Sequence, residues 1–308
     1  MKPPPFEYHH PRTLQQALQH LSDFENARLL AGGQSLMPML NMRLAMPEHL
    51  IDLAGVGDLA YILEASSEIA IGAMTTQRTI EFSDLIRRRL PLLSEAILSV
   101  GHRQTRNRGT IGGSLCHLDP SAELPLVAMA LDATIRVTAA GGTRSIPMAE
   151  FAVDFMTPAI EGNEIVTEIR FQPWPEGHGA AFLEFARRKG DFAVVAVAVM
   201  LQLAPDGRIA RASLAVGGVG PVPVRVKEAE AILVGSAPRC RRIRPRRRAL
   251  RCDRAADGSA RSAVVSPQSG IDARAAGTRD RLRTGAADAE WLIAASHRLP
   301  CTSTGSNT

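Results

Sequence analysis

Thr110-Ile111-Gly112-Gly113-Ser114-Leu115-Cys116-His117-Leu118-Asp119-Pro120 decides how this chain is read. Glycine has no Cβ, so the adjacent pair Gly112-Gly113 can turn peptide N–H groups toward one point. Concave sets of N–H donors bind anions, phosphates above all. Thr110 and Ser114 add hydroxyl donors. Asp119 can accept from a ribose hydroxyl, with Glu123 one turn along the next helix. Asp119-Pro120 is also an ordinary helix-start signal, and both readings hold together. Upstream stands a second stretch of the same kind, Leu29-Leu30-Ala31-Gly32-Gly33-Gln34-Ser35-Leu36, between a strand candidate and a helix that takes in Met39 to Arg43. One such stretch alone also reads as an ordinary strand–helix turn. Two in one chain point to a diphosphate held between two parts of a domain.

Neither stretch is a G-x-G-x-x-G dinucleotide fingerprint, and neither has the P-loop lysine spacing. There is no nucleophile elbow. The cysteines Cys116, Cys240, Cys252 and Cys301 form no CxxC pair. That spacing gives no zinc or iron–sulfur pattern, so no residue is assigned to a metal. No catalytic acid, base or nucleophile is assigned either.

A length of 308 residues, 45% of them apolar, fits about two domains with a real core. No run of about 18 apolar residues suggests a membrane span. Met1-Lys2-Pro3-Pro4-Pro5-Phe6 lacks the apolar stretch of a signal peptide, so a cytoplasmic protein is expected. The net charge of +5 is unevenly spread. Residues 239–308 hold 15 Arg, no Lys and 6 acidic residues, which leaves 21 basic and 25 acidic residues in the rest. The body is therefore slightly acidic and has no nucleic-acid footprint.

Along the chain, Thr13 and Gln16 form a capping box before a helix. Strand candidates follow at 28–30 and 49–53, with a hairpin at 61–64 and 68–71. Residues 80–100 read as helix broken at Pro91. A helix is expected over 122–131, a second hairpin at 134–138 and 144–146, and a strand over 165–171. Trp174-Pro175-Glu176-Gly177-His178-Gly179 reads as an interdomain linker. Strands are expected at 180–186, 194–203 and 209–216, with a Pro205-Asp206-Gly207 turn, then a helix over 227–234. From about Pro238 the pattern changes. The run from Arg239 to Arg248 has no apolar periodicity, and only 286–295 suggests a short helix. A basic nucleic-acid arm is one reading. A disordered or frame-shifted tail over 239–308 is the favoured one.

Two quoted motifs, Ala31-Gly32-Gly33-Gln34-Ser35-Leu36-Met37-Pro38 and Thr105 through Pro125, closely resemble those of the FAD-binding medium subunits of molybdenum hydroxylases, of the carbon monoxide dehydrogenase and xanthine dehydrogenase type. Arg187-Arg188-Lys189-Gly190-Asp191-Phe192-Ala193 and Ala215-Val216-Gly217-Gly218-Val219 extend the resemblance, which runs from about Phe6 to Gly235. It implies an α+β fold. A two-lobed FAD-binding domain of the PCMH or vanillyl-alcohol-oxidase type would occupy 1–175, with lobes of about 1–55 and 56–175. A small α+β domain with a three-stranded sheet would follow over 180–238, disrupted at its C-terminal end. Carried over by position, residues 29–36 and 110–114 hold the FAD diphosphate. Asp119 and Glu123 lie on the ribose and adenosine side. Ile165 packs near the adenine or isoalloxazine, and Lys189 lies near the flavin end. His102, Arg106 and His117 are candidates for positive charge near a reduced flavin.

The resemblance also implies partners: a large molybdopterin-binding subunit that oxidises substrate and a small [2Fe-2S] subunit, in a heterotrimer with further dimerisation open. Electrons would pass from the clusters to FAD here and leave to an external acceptor. Alternatives are a stand-alone flavin-dependent reductase of the same fold, or a truncated product without function.

Overall fold

The structure is a computed structural model that describes residues 2–238. The expected tail over 239–308, its helix candidate at 286–295, and Cys240, Cys252 and Cys301 lie outside the described residues.

The first lobe is built on three short strands. They run β1 (Glu7–His9), α1 (Leu14–Asp23), β2 (Ala27–Leu30), α2 (Leu36–Asn41) and β3 (His49–Asp52), with sheet order β1-β3-β2. Thr13 Oγ1 accepts from the Gln16 N–H at 3.2 Å, and Gln16 Oε1 accepts from the Arg12 N–H at 2.8 Å. This fixes the start of α1, whose Ala17 is fully buried against the sheet. Both strand pairings are parallel. The glycine stretch after β2 therefore leaves from the carboxyl end of the sheet, where parallel sheets place ligands.

The second lobe begins with the hairpin β4 (Ile62–Ala65) and β5 (Glu68–Gly72), turned by Ser66 at φ +56°. Then come α3 (Gln77–Glu81), α4 (Asp84–Arg89) and α5 (Pro91–Ala96). The expected long helix is thus three short ones. Pro91 starts α5, as expected, but Ser83 also interrupts: its Oγ accepts from the Ile86 N–H at 3.3 Å and caps α4. Next are α6 (Arg103–Arg108), α7 (Ile111–His117) and α8 (Glu123–Ala130). They precede the hairpin β6 (Thr134–Ala139) and β7 (Gly142–Pro147), α9 (Met148–Phe151), the small pair β8 (Ala152–Asp154) and β9 (Thr157–Pro158), and β10 (Ile165–Phe171). An antiparallel sheet of order β4-β5-β10-β6-β7 results. All eight residues of α8 are buried. A helix without a polar stripe must be covered on every side.

The rest of the cover on α8 comes from a third, antiparallel sheet: β11 (Gly179–Phe185), β12 (Val195–Leu203), β13 (Ile209–Gly217) and β14 (Val224–Arg225), followed by α10 (Lys227–Leu233). The three expected strands are joined by the short β14. Ser213, fully buried, donates to the Ala130 carbonyl at 2.5 Å, and the Gly218 N–H donates to the Pro120 carbonyl at 2.9 Å. The expected linker at 174–179 is anchored at its first residue. Trp174 is 3% exposed and carries the Arg211 guanidinium 4.0 Å from its ring centroid. Among the described residues, no helix is long and apolar enough to cross a membrane.

Candidate functional site

The two glycine stretches come together, and they do so through their backbones. A Cβ on Gly32 would collide with the Arg108 carbonyl oxygen and lie 2.7 Å from Gly109 Cα. One on Gly113 would lie 3.4 Å from Ala31 Cβ and 2.8 Å from Thr110 Oγ1. Glycine at Gly32 is therefore a requirement of close approach.

The stretches do different jobs, which the sequence did not separate. Gly33 takes φ +72°, and the N–H groups of Gly32, Gly33, Gln34 and Ser35 have no partner among the described residues. These are free anion donors. The second stretch is not a loop of free donors but the start of α7. Thr110 Oγ1 caps it by accepting from the Gly113 N–H at 3.1 Å. The Gly112 N–H goes to the Ala73 carbonyl at 2.9 Å, that of Ile111 to Thr75 at 3.1 Å, and that of Ser114 to Thr110 at 3.1 Å. Gly112 is needed for packing, because its Cβ would sit 2.6 Å from Ala73 Cβ. What this stretch keeps for a ligand, among the described residues, is the hydroxyls of Thr110 and Ser114 and the Thr110 N–H.

A cleft of about 770 Å³ opens between the stretches, within the size of ordinary cofactor sites. Leu29, Ala31 through Leu36, Thr110, Gly112, Gly113, Ser114, Asp119, Glu123 and Ile165 all line it. Three expected residues do not. Leu30 lines a neighbouring pocket with Met37 and Arg108. Ile111 is 1% exposed and points into the core. Lys189 is exposed, and the same turn instead presents Gly190, Asp191 and Phe192 to the cleft. His117 lines the cleft. His102 does not; its ring packs on Gly190. Arg106 is buried and committed, donating to Glu81 at 3.0 and 3.3 Å and to the Val100 carbonyl at 3.0 Å. It is not a free positive charge.

Glu123 is almost wholly buried, which pushes its carboxyl up to about 7, with Glu184 and Asp119 adding to the rise. Near neutral pH it therefore holds a proton part of the time and can donate as well as accept. Asp119 stays in place by accepting from the Ser121 N–H at 2.8 Å. Burial pushes the Cys116 thiol up to about 12, so it is no reactive anchor for a covalent flavin. Sequence reasoning missed Gln77, buried on the cleft wall with its Oε1 unpartnered among the described residues. Nothing in its local sequence marks it; the Gly109 carbonyl positions it by accepting from its N–H at 2.8 Å.

Residues 4–174 match the model of the FAD binding domain in molybdopterin dehydrogenase, and residues 180–262 match the carbon monoxide dehydrogenase flavoprotein C-terminal domain. The chain belongs to this FAD-binding family. It is 43% identical over 237 residues to the 6-hydroxypseudooxynicotine dehydrogenase complex subunit alpha of Paenarthrobacter nicotinovorans, covering 77% of this chain and 80% of that one. To the carbon monoxide dehydrogenase medium chain of Afipia carboxidovorans it is 38% identical, covering 77% and 82%. Among solved structures, carbon monoxide dehydrogenase from Hydrogenophaga pseudoflava superposes with a TM-score of 0.75 at 38% identity, covering 77% and 83%. The chain is thus an FAD subunit of the type found in molybdenum hydroxylase dehydrogenases. The cleft fits that cofactor: it offers unpartnered N–H donors and hydroxyls for a diphosphate, carboxyls for ribose hydroxyls, and apolar wall at Leu29, Met74 and Ile165.

Proposed function

We propose that this chain is the electron-transfer flavoprotein subunit of a molybdenum hydroxylase complex. It takes electrons from [2Fe-2S] clusters of a small subunit and delivers them to an external acceptor, while a large molybdopterin-binding subunit oxidises the substrate. FAD, when bound, supplies the redox chemistry; the protein supplies position and electrostatics. The N–H groups of Gly32 to Ser35 bind the diphosphate, with the hydroxyls of Thr110 and Ser114 opposite. Asp119 and Glu123 orient the ribose and adenosine. Ile165 packs against the ring system, and the 189–192 turn, Lys189 included, borders the flavin end. Residues 1–175 form the FAD-binding part and 180–238 the part that completes the cleft. The observation that carries this reading is the set of unpartnered N–H groups on one wall of a cleft of cofactor size.

The test has two readings. Acid denaturation of the purified chain should release FAD into the supernatant, at about one per chain. Reduction of that flavin by the complex's substrate should require both partner subunits. Flavin retained on the precipitated chain, or substrate-driven bleaching by this chain alone, would refute the proposal.

A further inference from the structure

We propose that Glu7, His9 and His49 form a binding site for a divalent transition cation of the zinc class, separate from the flavin cleft. His9 Nε2 and His49 Nδ1 stand 3.1 Å apart. Glu7 Oε2 lies 3.5 Å from His49 Nδ1 and 4.0 Å from His9 Nε2. A triangle with those sides has a circumscribed radius of about 2.1 Å, so one point is equidistant from all three ligand atoms at that length. Zinc bonds to imidazole nitrogen and carboxylate oxygen are about 2.0–2.2 Å long. The three atoms therefore lie within bonding reach of one such cation, and exposed Glu7 is the ligand that would shift to adjust the angles.

The placement follows from the parallel register. Glu7 pairs with His49, and His9 follows two residues along β1 on the same face. Phe24 stacks on both imidazoles, 4.4 Å from each ring centroid at 21° and 16°, and so holds their planes. Two ligands on strands with packed rings make a stiffer site than a loop would. Glu7 is exposed while both rings are half-buried. The cation would enter from solvent and keep water in its open positions, as three-ligand sites do. Two imidazoles favour zinc, nickel or copper over magnesium and calcium. None of the three residues lines the cleft. His49 and Glu7 begin their strands, whereas the glycine stretch follows the end of β2. The site is therefore at the opposite end of the sheet. Its effect would be to tie β1, bonded within the sheet only to β3, to its neighbour.

The experiment is calorimetric titration of the full, FAD-loaded, tag-free chain with zinc chloride after chelator treatment, beside His49→Gln and Glu7→Gln. Thiols elsewhere in the chain can also bind zinc, so the readout is the equivalent that differs between proteins. Wild type should bind one equivalent more than His49→Gln, and zinc should raise its melting temperature more. Glu7→Gln, at an exposed position, should fold normally, keep its FAD and bind that equivalent more than roughly tenfold more weakly, since even outer-shell losses cost that much. Equal stoichiometry and affinity in wild type and Glu7→Gln would overturn the proposal, as would a wild type with no equivalent beyond that of His49→Gln.

Discussion

Gly32→Ala is the sharpest perturbation of the cleft. The added methyl would meet the Arg108 carbonyl oxygen and stand 2.7 Å from Gly109 Cα. Both are backbone atoms, so no rotamer change relieves the clash. Either the 31–35 loop or the 108–110 segment must move. Forced overpacking of this kind costs about 1–3 kcal/mol. The displaced atoms are those that place the free N–H groups, so that cost falls on cofactor binding. At about 1.4 kcal/mol per decade it corresponds to roughly 5- to 150-fold weaker FAD binding. Gly57→Ala is the matched control, because nothing lies within 4 Å of its added Cβ. It should change stability by less than about 0.5 kcal/mol and leave affinity alone. The assay is FAD titration of deflavinated protein, followed by flavin fluorescence, with thermal unfolding in parallel. Wild-type affinity in Gly32→Ala would refute the claim that the meeting of the two stretches builds the diphosphate site.

Two further outcomes follow from titratable groups. Burial raises the Glu123 carboxyl to about 7, so its neutral form is favoured in the fold. The sign is that of a raised carboxyl: its stabilisation is present below the usual carboxylate value and lost as pH rises toward 7. The flavin-free Glu123→Gln variant should therefore equal wild type near pH 4 and exceed it above pH 7, by about 3 kcal/mol at most; parallel denaturation curves at both pH values would contradict this. The Arg106 hydrogen bond holds the Glu81 carboxyl below its usual value. Arg106→Met leaves Glu81 with Arg78 alone, 3.3 Å away, so it should cost less than the roughly 3–5 kcal/mol of a fully stranded buried charge, and Arg106→Met with Glu81→Met should recover part of that. A double-mutant cycle in urea checks it, additivity being the adverse result.

Local signals were legible where short-range chemistry decides the backbone. The Thr13 cap, the Ser66 hairpin and the Gly207 turn at φ +80° each follow from a few adjacent residues. The cleft was legible as a pair of motifs because glycine pairs report close approach whatever their partner. Sequence could not show that Gly32 and Gly33 free their N–H groups while Gly112 and Ile111 spend theirs on Ala73 and Thr75. That assignment depends on which segment lies alongside, here the turn that follows β5. Lys189 itself does not line the cleft; it is exposed, and Gly190, Asp191 and Phe192 of the same turn reach the cleft instead. Gln77 and the Glu7, His9 and His49 cluster join segments far apart in the chain, which periodicity does not register.

Helix α8 explains why the third sheet is part of the cleft rather than beside it. Its eight residues are all buried, and no single sheet can cover every side of a helix. The second-lobe core takes one side. The third sheet takes another, where a Cβ on Gly217 would stand 3.3 Å from the Leu126 side chain and Ser213 reaches Ala130. The segment that leads into α8 carries Asp119 and Pro120, and its first residue is Glu123, so cleft residues lie on the same rigid piece. The Gly218 N–H holds that segment through the Pro120 carbonyl at 2.9 Å, and Gly190 to Phe192 reach the cleft directly. Moving the third sheet would therefore shift the Asp119 and Glu123 carboxyls and the Gly190 to Phe192 border together. The unpartnered N–H groups of Gly32 to Ser35 belong to the first lobe and, among the described residues, have no hydrogen bond to that sheet. The unpartnered N–H donors are carried by the first sheet, and the rest of the cleft depends on how the third sheet is seated.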